Sequence, residues 1–358
     1  MSSTEIAPAS MTVSQSCRSA AITLVILAPL IAEVMSGSTR LSFIFVFIPE
    51  MMVWGCGALI IRELVRRWEG GGTSLLLGGL ALAMTQEFII QQTSLAPLPW
   101  IQGPIYGRQW GVNWVFFLFL LGFESVWVVL VPVQLTELLF HSRGKQPWLR
   151  KSGLAVASAI FLVGSFLAWF LWTRIARPNK FHVPPYHPSP LLLGIGACVT
   201  LLLLVAAYIV RNSGREKSER QTPSPWMAGG AALVFCFLWY ALIAMVFAPT
   251  LRPKFSFWIP MVLGVAWGVL AFSVIRRWSR SRGWSDMHRW SVAFAAAIVS
   301  MVMGFGGSSA WPKIDVNAKI AMNITMTIWL LWLGLCAKKH SLRSEPVSTE
   351  PTGQPARP

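Results

Sequence analysis

Charge is scarce in this chain of 358 residues: Asp, Glu, Lys and Arg make up 12% of it, where a soluble domain carries about 25%. So few charged groups cannot cover a water-facing surface, which excludes an ordinary soluble enzyme or a disordered polar chain. The five cysteines are scattered without C-x-x-C spacing, so a disulfide scaffold is excluded as well. There is no Walker loop, no G-x-S-x-G elbow and no Rossmann fingerprint, and no cofactor is expected. None of the five histidines (His141, His182, His187, His288, His340) falls in an apolar run, and H-E-x-x-H is absent; no metal is expected either.

What is present is apolar: 54% hydrophobic residues and a mean hydropathy of +0.57. Runs long enough to cross a bilayer lie at 19–36, 41–61, 74–92, 112–140, 153–173, 190–210, 226–248, 256–275, 290–307 and 319–336. The fold class that follows is all-α, a polytopic transmembrane helix bundle of about ten spans with both termini cytoplasmic. A signal peptide does not fit the first run, because Glu33 stands where a cleavage region would be. The organisation predicted is a mobile N-terminus over 1–18, one transmembrane domain over 19–336 with a polar-rich half (19–140) and an apolar half (153–336), and a disordered tail over 337–358.

A net charge of +16 would suggest nucleic acid in a soluble protein. Here the basic residues cluster in alternate connecting segments, Arg62–Arg67, Arg143–Lys151, Arg211–Arg220, Arg276–Arg289 and Lys338–Arg343. With both termini inside, 21 of the 30 Lys and Arg are cytoplasmic, as the positive-inside rule requires. The partner implied is the lipid bilayer and not nucleic acid, and the location a cell membrane, multi-pass; in a bacterium this is the cytoplasmic (inner) membrane.

Of 14 acidic residues, Glu33, Glu50, Glu87, Glu124 and Glu137 stand inside apolar runs, where a charge costs a few kcal/mol or more unless paired, protonated or hydrated. At 1.5 Å per residue, Glu33 and Glu87 lie roughly 20 Å from the cytoplasmic starts of the first and third spans. Glu50 lies roughly 13 Å and Glu124 roughly 18 Å from the external starts of the second and fourth. Four antiparallel helices thus place a carboxyl between mid-bilayer and its outer half. Glu87, Gln91 and Ser94 share a face of the third span, and Asn113 and Glu124 a face of the fourth. Segment 91–111, with Pro, Gly, aromatics and Arg108, is expected to act as a lid bringing Arg108 over the carboxylates. The candidate ligand-binding residues are Glu33, Glu50, Glu87, Gln91, Arg108, Asn113 and Glu124.

The remaining features have plainer readings. Glu63, beside Arg62 and before Arg66 and Arg67, is expected to form helix-end salt pairs, and Glu137 to meet Arg143. Pro29, Pro49 and Pro132 interrupt spans one, two and four. Gly264 and Gly268 form a G-x-x-x-G pair for close helix packing. Asp315, Asn317 and Lys319 make a polar external lip.

Segments 28–39 (APLIAEVMSGST), 57–68 (GALIIRELVRRW), 106–115 (YGRQWGVNWV) and 132–140 (PVQLTELLF) resemble a group of uncharacterised bacterial multi-spanning membrane proteins. Within 74–140 the chain also resembles the CPBP (CAAX protease and bacteriocin-processing) intramembrane proteases, whose motif is E-E-x-x-x-R followed by a helix with F-x-x-x-H. On that resemblance the paired glutamates fall on Gln86 and Glu87, the arginine on Gln91 and the histidine near Glu124, so only Glu87 keeps its identity. Function therefore reads as binding or transport of a small solute or cation through an externally open carboxylate site, with no enzymatic activity favoured. The alternatives are a degenerate CPBP-type hydrolase, with Glu87 and Glu124 as its catalytic pair, and a structural or assembly protein.

Overall fold

A computed structural model describes residues 13–101, 103–212, 218–219, 221–248 and 254–343. The expected mobile segments fall outside it at 1–12 and 344–358, as do 213–217 and 220 of one basic segment and Arg252. Residues 13–18 and 337–343, read as parts of those mobile ends, are helical.

The protein is an all-α polytopic bundle, 77% helical. Its long helices are α1 Ser16–Met35, α2 Leu41–Arg67, α3 Gly72–Ile90, α4 Trp114–Leu139, α5 Lys151–Lys180, α6 Pro190–Asn212, α7 Pro225–Phe247, α8 Trp258–Ser279, α9 Asp286–Met303 and α10 Lys313–Ser341. Nine of these, all but α9, are long and apolar enough to cross a membrane among the described residues. The tenth run predicted, 290–307, is also a helix, but α9 begins early and its first turn holds Asp286, His288 and Arg289. It packs against α7, α10 and the second half of α4.

The two halves of the chain differ in what covers them. Between 50% and 67% of the apolar windows of α1–α4 is buried, against 11% to 22% for α5–α8. Leu162, Phe166, Leu191, Leu201 and Val262 are all more than 60% exposed on those outer helices, an apolar surface that only lipid covers favourably. The polar first four helices thus form the interior, and α5–α8 sheath them.

Close backbone approach sets the crossing of α1 and α2. A Cβ on Gly55 would lie 2.2 Å from the Val25 carbonyl oxygen, so only glycine fits. Gly304, after α9, meets Ser36 in the same way, with 1.7 Å to its carbonyl oxygen.

At the basic end Glu63 makes the expected helix-end pairs with Arg62 and Arg67, and both pairs belong to a wider buried network. Arg62 and Glu63 are fully buried and ion-paired at 2.7 Å. Glu63 also accepts the backbone N–H groups of Trp148 and Leu149, and the Arg62 guanidinium lies 3.5 Å from the centre of the Trp148 ring. Glu137 does not meet Arg143; it bonds Arg62, Arg66 and Arg289. Segment 141–150 folds back over α2, and its Gly144 carbonyl accepts from Arg62 Nη2, which draws these groups out of water. Two predictions follow from this packing, both read as thermal unfolding of the detergent-purified protein. Gly55→Ala destabilises by about 1–3 kcal/mol, whereas Gly230→Ala, which opens onto free space in α7, is neutral or slightly stabilising. Glu137→Ala leaves three guanidinium groups short of a partner and costs about 3–5 kcal/mol, whereas removing the exposed Arg282–Glu219 pair has no measurable effect.

Candidate functional site

Each of the four interior helices widens into a π-helical turn at or beside its acidic residue. These turns are Leu30–Met35 around Glu33, Met51–Gly55 directly after Glu50, Gln86–Ile90 around Glu87 and Glu124–Leu130 starting at Glu124. Pro29, Pro49 and Pro132 adjoin three of them: a proline has no N–H to donate and crowds the carbonyl one turn back, so the ladder shifts locally to wider spacing. In α3 no proline is near; there the Gln91 N–H bonds the Gln86 carbonyl at 2.8 Å, five residues back. Such turns recur at functional sites because they push a side chain out of the regular helix face.

The turns bring the four carboxyls together. Glu87 and Glu124, both buried, lie within hydrogen-bonding reach of one another. Two carboxyl groups bond in this way only when one holds a proton. Glu33, half-buried, stands within electrostatic range of Glu87, Glu124 and Glu50, so the acids form a line running from Glu50 through Glu33 to the Glu87–Glu124 pair. Among the described residues, none of the four is ion-paired to a basic side chain, in contrast with Glu63 and Glu137.

Hydroxyl groups satisfy part of the line. Thr93 Oγ1 donates to Glu87 Oε2 at 2.7 Å and Ser94 Oγ to the same oxygen at 2.5 Å. Thr39 Oγ1 donates to Glu50 Oε1. Thr39 and Thr93 were missed in the sequence, although each follows an interior Glu by six residues, just past the helix end. Other polar atoms there stay unsatisfied. Gln86 Nε2 and Oε1, Glu50 Oε2, Glu124 Oε2 and Trp54 Nε1 are buried with no hydrogen-bond partner among the described residues. Buried polar atoms in proteins are nearly always bonded, so the unbonded carboxyl oxygens of Glu50 and Glu124 leave capacity for water, a cation or a polar solute.

The outer segment is a plug rather than a lid over the carboxyls. α3 stops at Ile90 and Gln92 takes φ +59°, so Ser94 reaches Glu87 by a turn and not along a helical face. Gln92 to Ala96 are all buried, which covers the pair from this side instead of leaving it open. Asn113 does not face Glu124: it sits in the β1 (Arg108–Gln109) and β2 (Val112–Asn113) hairpin, where its Nδ2 donates to the Thr93 and Ala96 carbonyls. Arg108 stays off the carboxylates because its Nη1 is held by Asn113 Oδ1 at 2.7 Å. Gln91 is half-buried and contributes no side-chain bond to the pair among the described residues. Arg177, at the end of α5, clamps the plug from outside by donating to the Pro97 carbonyl.

Lys319 is the other buried base at this end of the bundle. Its Nζ donates to the Met35 carbonyl at 2.6 Å, and nearby Asp315 accepts from the Ser42 N–H and hydroxyl. Of the expected polar lip, Asp315 and Lys319 are thus internal packing between α10 and the α1–α2 turn, while Asn317 is exposed.

A bundle of apolar helices enclosing an unpaired carboxyl line defines a polytopic membrane protein with an acidic interior. The chain belongs to an uncharacterised membrane protein family, whose model matches residues 22–340. No curated protein and no solved structure matches it. The plug gives its own prediction: Asn113→Ala removes two hydrogen bonds to buried carbonyls and costs about 1–3 kcal/mol. It also speeds amide exchange in 92–98 while α5–α8 exchange unchanged, as read by hydrogen–deuterium exchange.

Proposed function

We propose that this protein binds, and by rearrangement of its plug passes, a small solute or cation at the Glu87–Glu124 pair, with Glu33 and Glu50 forming the approach. The observation that carries this reading is the pair of buried, unbonded oxygens on Glu50 and Glu124, within a group of carboxyls that no basic side chain neutralises among the described residues. In hydrocarbon such groups need a proton, a cation or a polar ligand. A line of acids suits stepwise movement of a proton or cation, and the widened turns supply backbone that bends without losing its fold. The orientation that fits the basic end is cytoplasmic, with both termini inside and the plug facing out.

The second reading is hydrolytic, and the Glu87–Glu124 contact is what favours it. In a pair of carboxyls sharing a proton, one activates a water while the other donates to the leaving group.

Thermal stability across lithium, sodium, potassium, magnesium and calcium, for wild type beside Glu87→Gln and Glu124→Gln, tests the first reading. A cation at 100 times its Kd stabilises the native state by about 2.7 kcal/mol. The expected result is a rise for one of these cations in wild type that both variants lose while still folding. No shift with any cation, or equal shifts in the variants, overturns cation binding. Cleavage of a membrane-anchored peptide reporter, abolished by Glu87→Gln and indifferent to cations, establishes the hydrolytic reading instead.

A further inference from the structure

At the basic end of the bundle, remote in sequence and function from the carboxyl line, three potential metal ligands from three different elements converge. His141 stands just beyond the end of α4, Asp286 opens α9, and His340 lies in the last turns of the α10 helix, which runs on to Arg343. One ligand atom from each falls within 4.8 Å of the other two. His141 Nδ1 is 2.7 Å from Asp286 Oδ2, and the rings of His141 and His340 are 5.0 Å apart, centre to centre. We propose that this triad binds a divalent transition-metal ion of the zinc class.

The donor chemistry is what such an ion requires: two imidazole nitrogens and one carboxylate oxygen, with His141 half-exposed so that a water completes the fourth position. The 2.7 Å separation is that of a hydrogen-bonded pair, and tetrahedral donors on an ion at 2.0–2.1 Å stand about 3.3 Å apart, so metal binding replaces this contact with a small outward rotation of the two side chains. The remaining pairs close by side-chain rotation at an accessible surface. Electrostatics favours the site from two sides, because His141 and His340 stand at helix C-terminal ends, where the peptide dipoles present negative charge. On the third side, Arg289 bonds Asp286 Oδ1 at 3.2 Å and leaves Oδ2 for the metal. The Arg289 charge is itself shared with Glu137 and Gln134, so it orients the carboxylate as an outer-shell partner. His288, two residues on from Asp286, is committed elsewhere: Nδ1 meets the Ser285 hydroxyl and Nε2 the Pro223 carbonyl. An ion at this point ties the α10 end to the α4–α5 turn and the α9 start, and so to the Glu137 network.

The test uses full-length protein in detergent, stripped with chelator, then titrated with ZnCl2 and, as a control, MgCl2. Zinc content by mass spectrometry and the unfolding midpoint are read for wild type, His141→Ala, His340→Ala, Asp286→Asn and the loop control His182→Ala/His187→Ala. The expected result is one zinc per wild-type and loop-control chain, a raised midpoint with zinc and none with magnesium. Affinity falls about 100-fold or beyond detection in His141→Ala and His340→Ala, while gel filtration and circular dichroism show both variants folded. Absence of zinc binding in wild type overturns the proposal. So does zinc that survives in both folded variants, or that is lost only with His182 and His187. Because Glu87→Gln leaves this zinc in place, failure here is distinguishable from failure of the carboxyl-site reading.

Discussion

No water reaches a bilayer core, so every polar group placed there must find its partner within the protein, and that constraint organises this structure. It explains why the described residues are helical almost throughout: the helix satisfies its own backbone, and the one strand pair among them lies in the plug. It also separates two populations of buried acid. Glu63 is held by arginines and two backbone N–H groups, and Glu137 by three arginines. Glu33, Glu50, Glu87 and Glu124 have each other, a few hydroxyls and unfilled hydrogen-bonding capacity.

That contrast assigns different work to the two ends. The basic end is closed electrostatically: Arg62, lying against Trp148 and bonded to Glu63, Glu137 and Gly144, fastens α2, α4 and the segment between α4 and α5 into one block. The opposite half is held differently. Its helices carry π-helical turns, and its plug is held by hydrogen bonds through Asn113 and Arg177 rather than by ion pairs among the described residues.

Much of this was legible in the residues. Apolar run length located each of the ten helices, because the hydrocarbon thickness dictates it, although helical structure runs past the predicted ends at Val13, Arg67, Lys180 and Arg343. The interior glutamates stood out for the same reason. Less legible was where each partner lies. Glu137 was expected at Arg143, six residues on, yet it bonds Arg62 and Arg66 from another helix and Arg289 from a third. Arg108 was expected over the carboxylates and is held by Asn113 instead, since a turn of two residues, Trp110 and Gly111, folds the hairpin onto itself. The α3 face uniting Glu87, Gln91 and Ser94 dissolved at Gln92, whose left-handed backbone ends the helix.

By itself, the sequence determined that this is a polytopic helical membrane protein, where its helices lie, and that its first four carry carboxyls at similar depth. Those properties depend on composition and on the 1.5 Å rise of a helix, both written along one dimension. Tertiary structure alone decided that Glu87 and Glu124 touch, that Thr39 and Thr93 serve them, and that His141, Asp286 and His340 meet. Each of these depends on how helices are rotated and how far they approach. Contacts such as Gly55 on Val25 and Gly304 on Ser36 set that geometry between residues far apart in the chain.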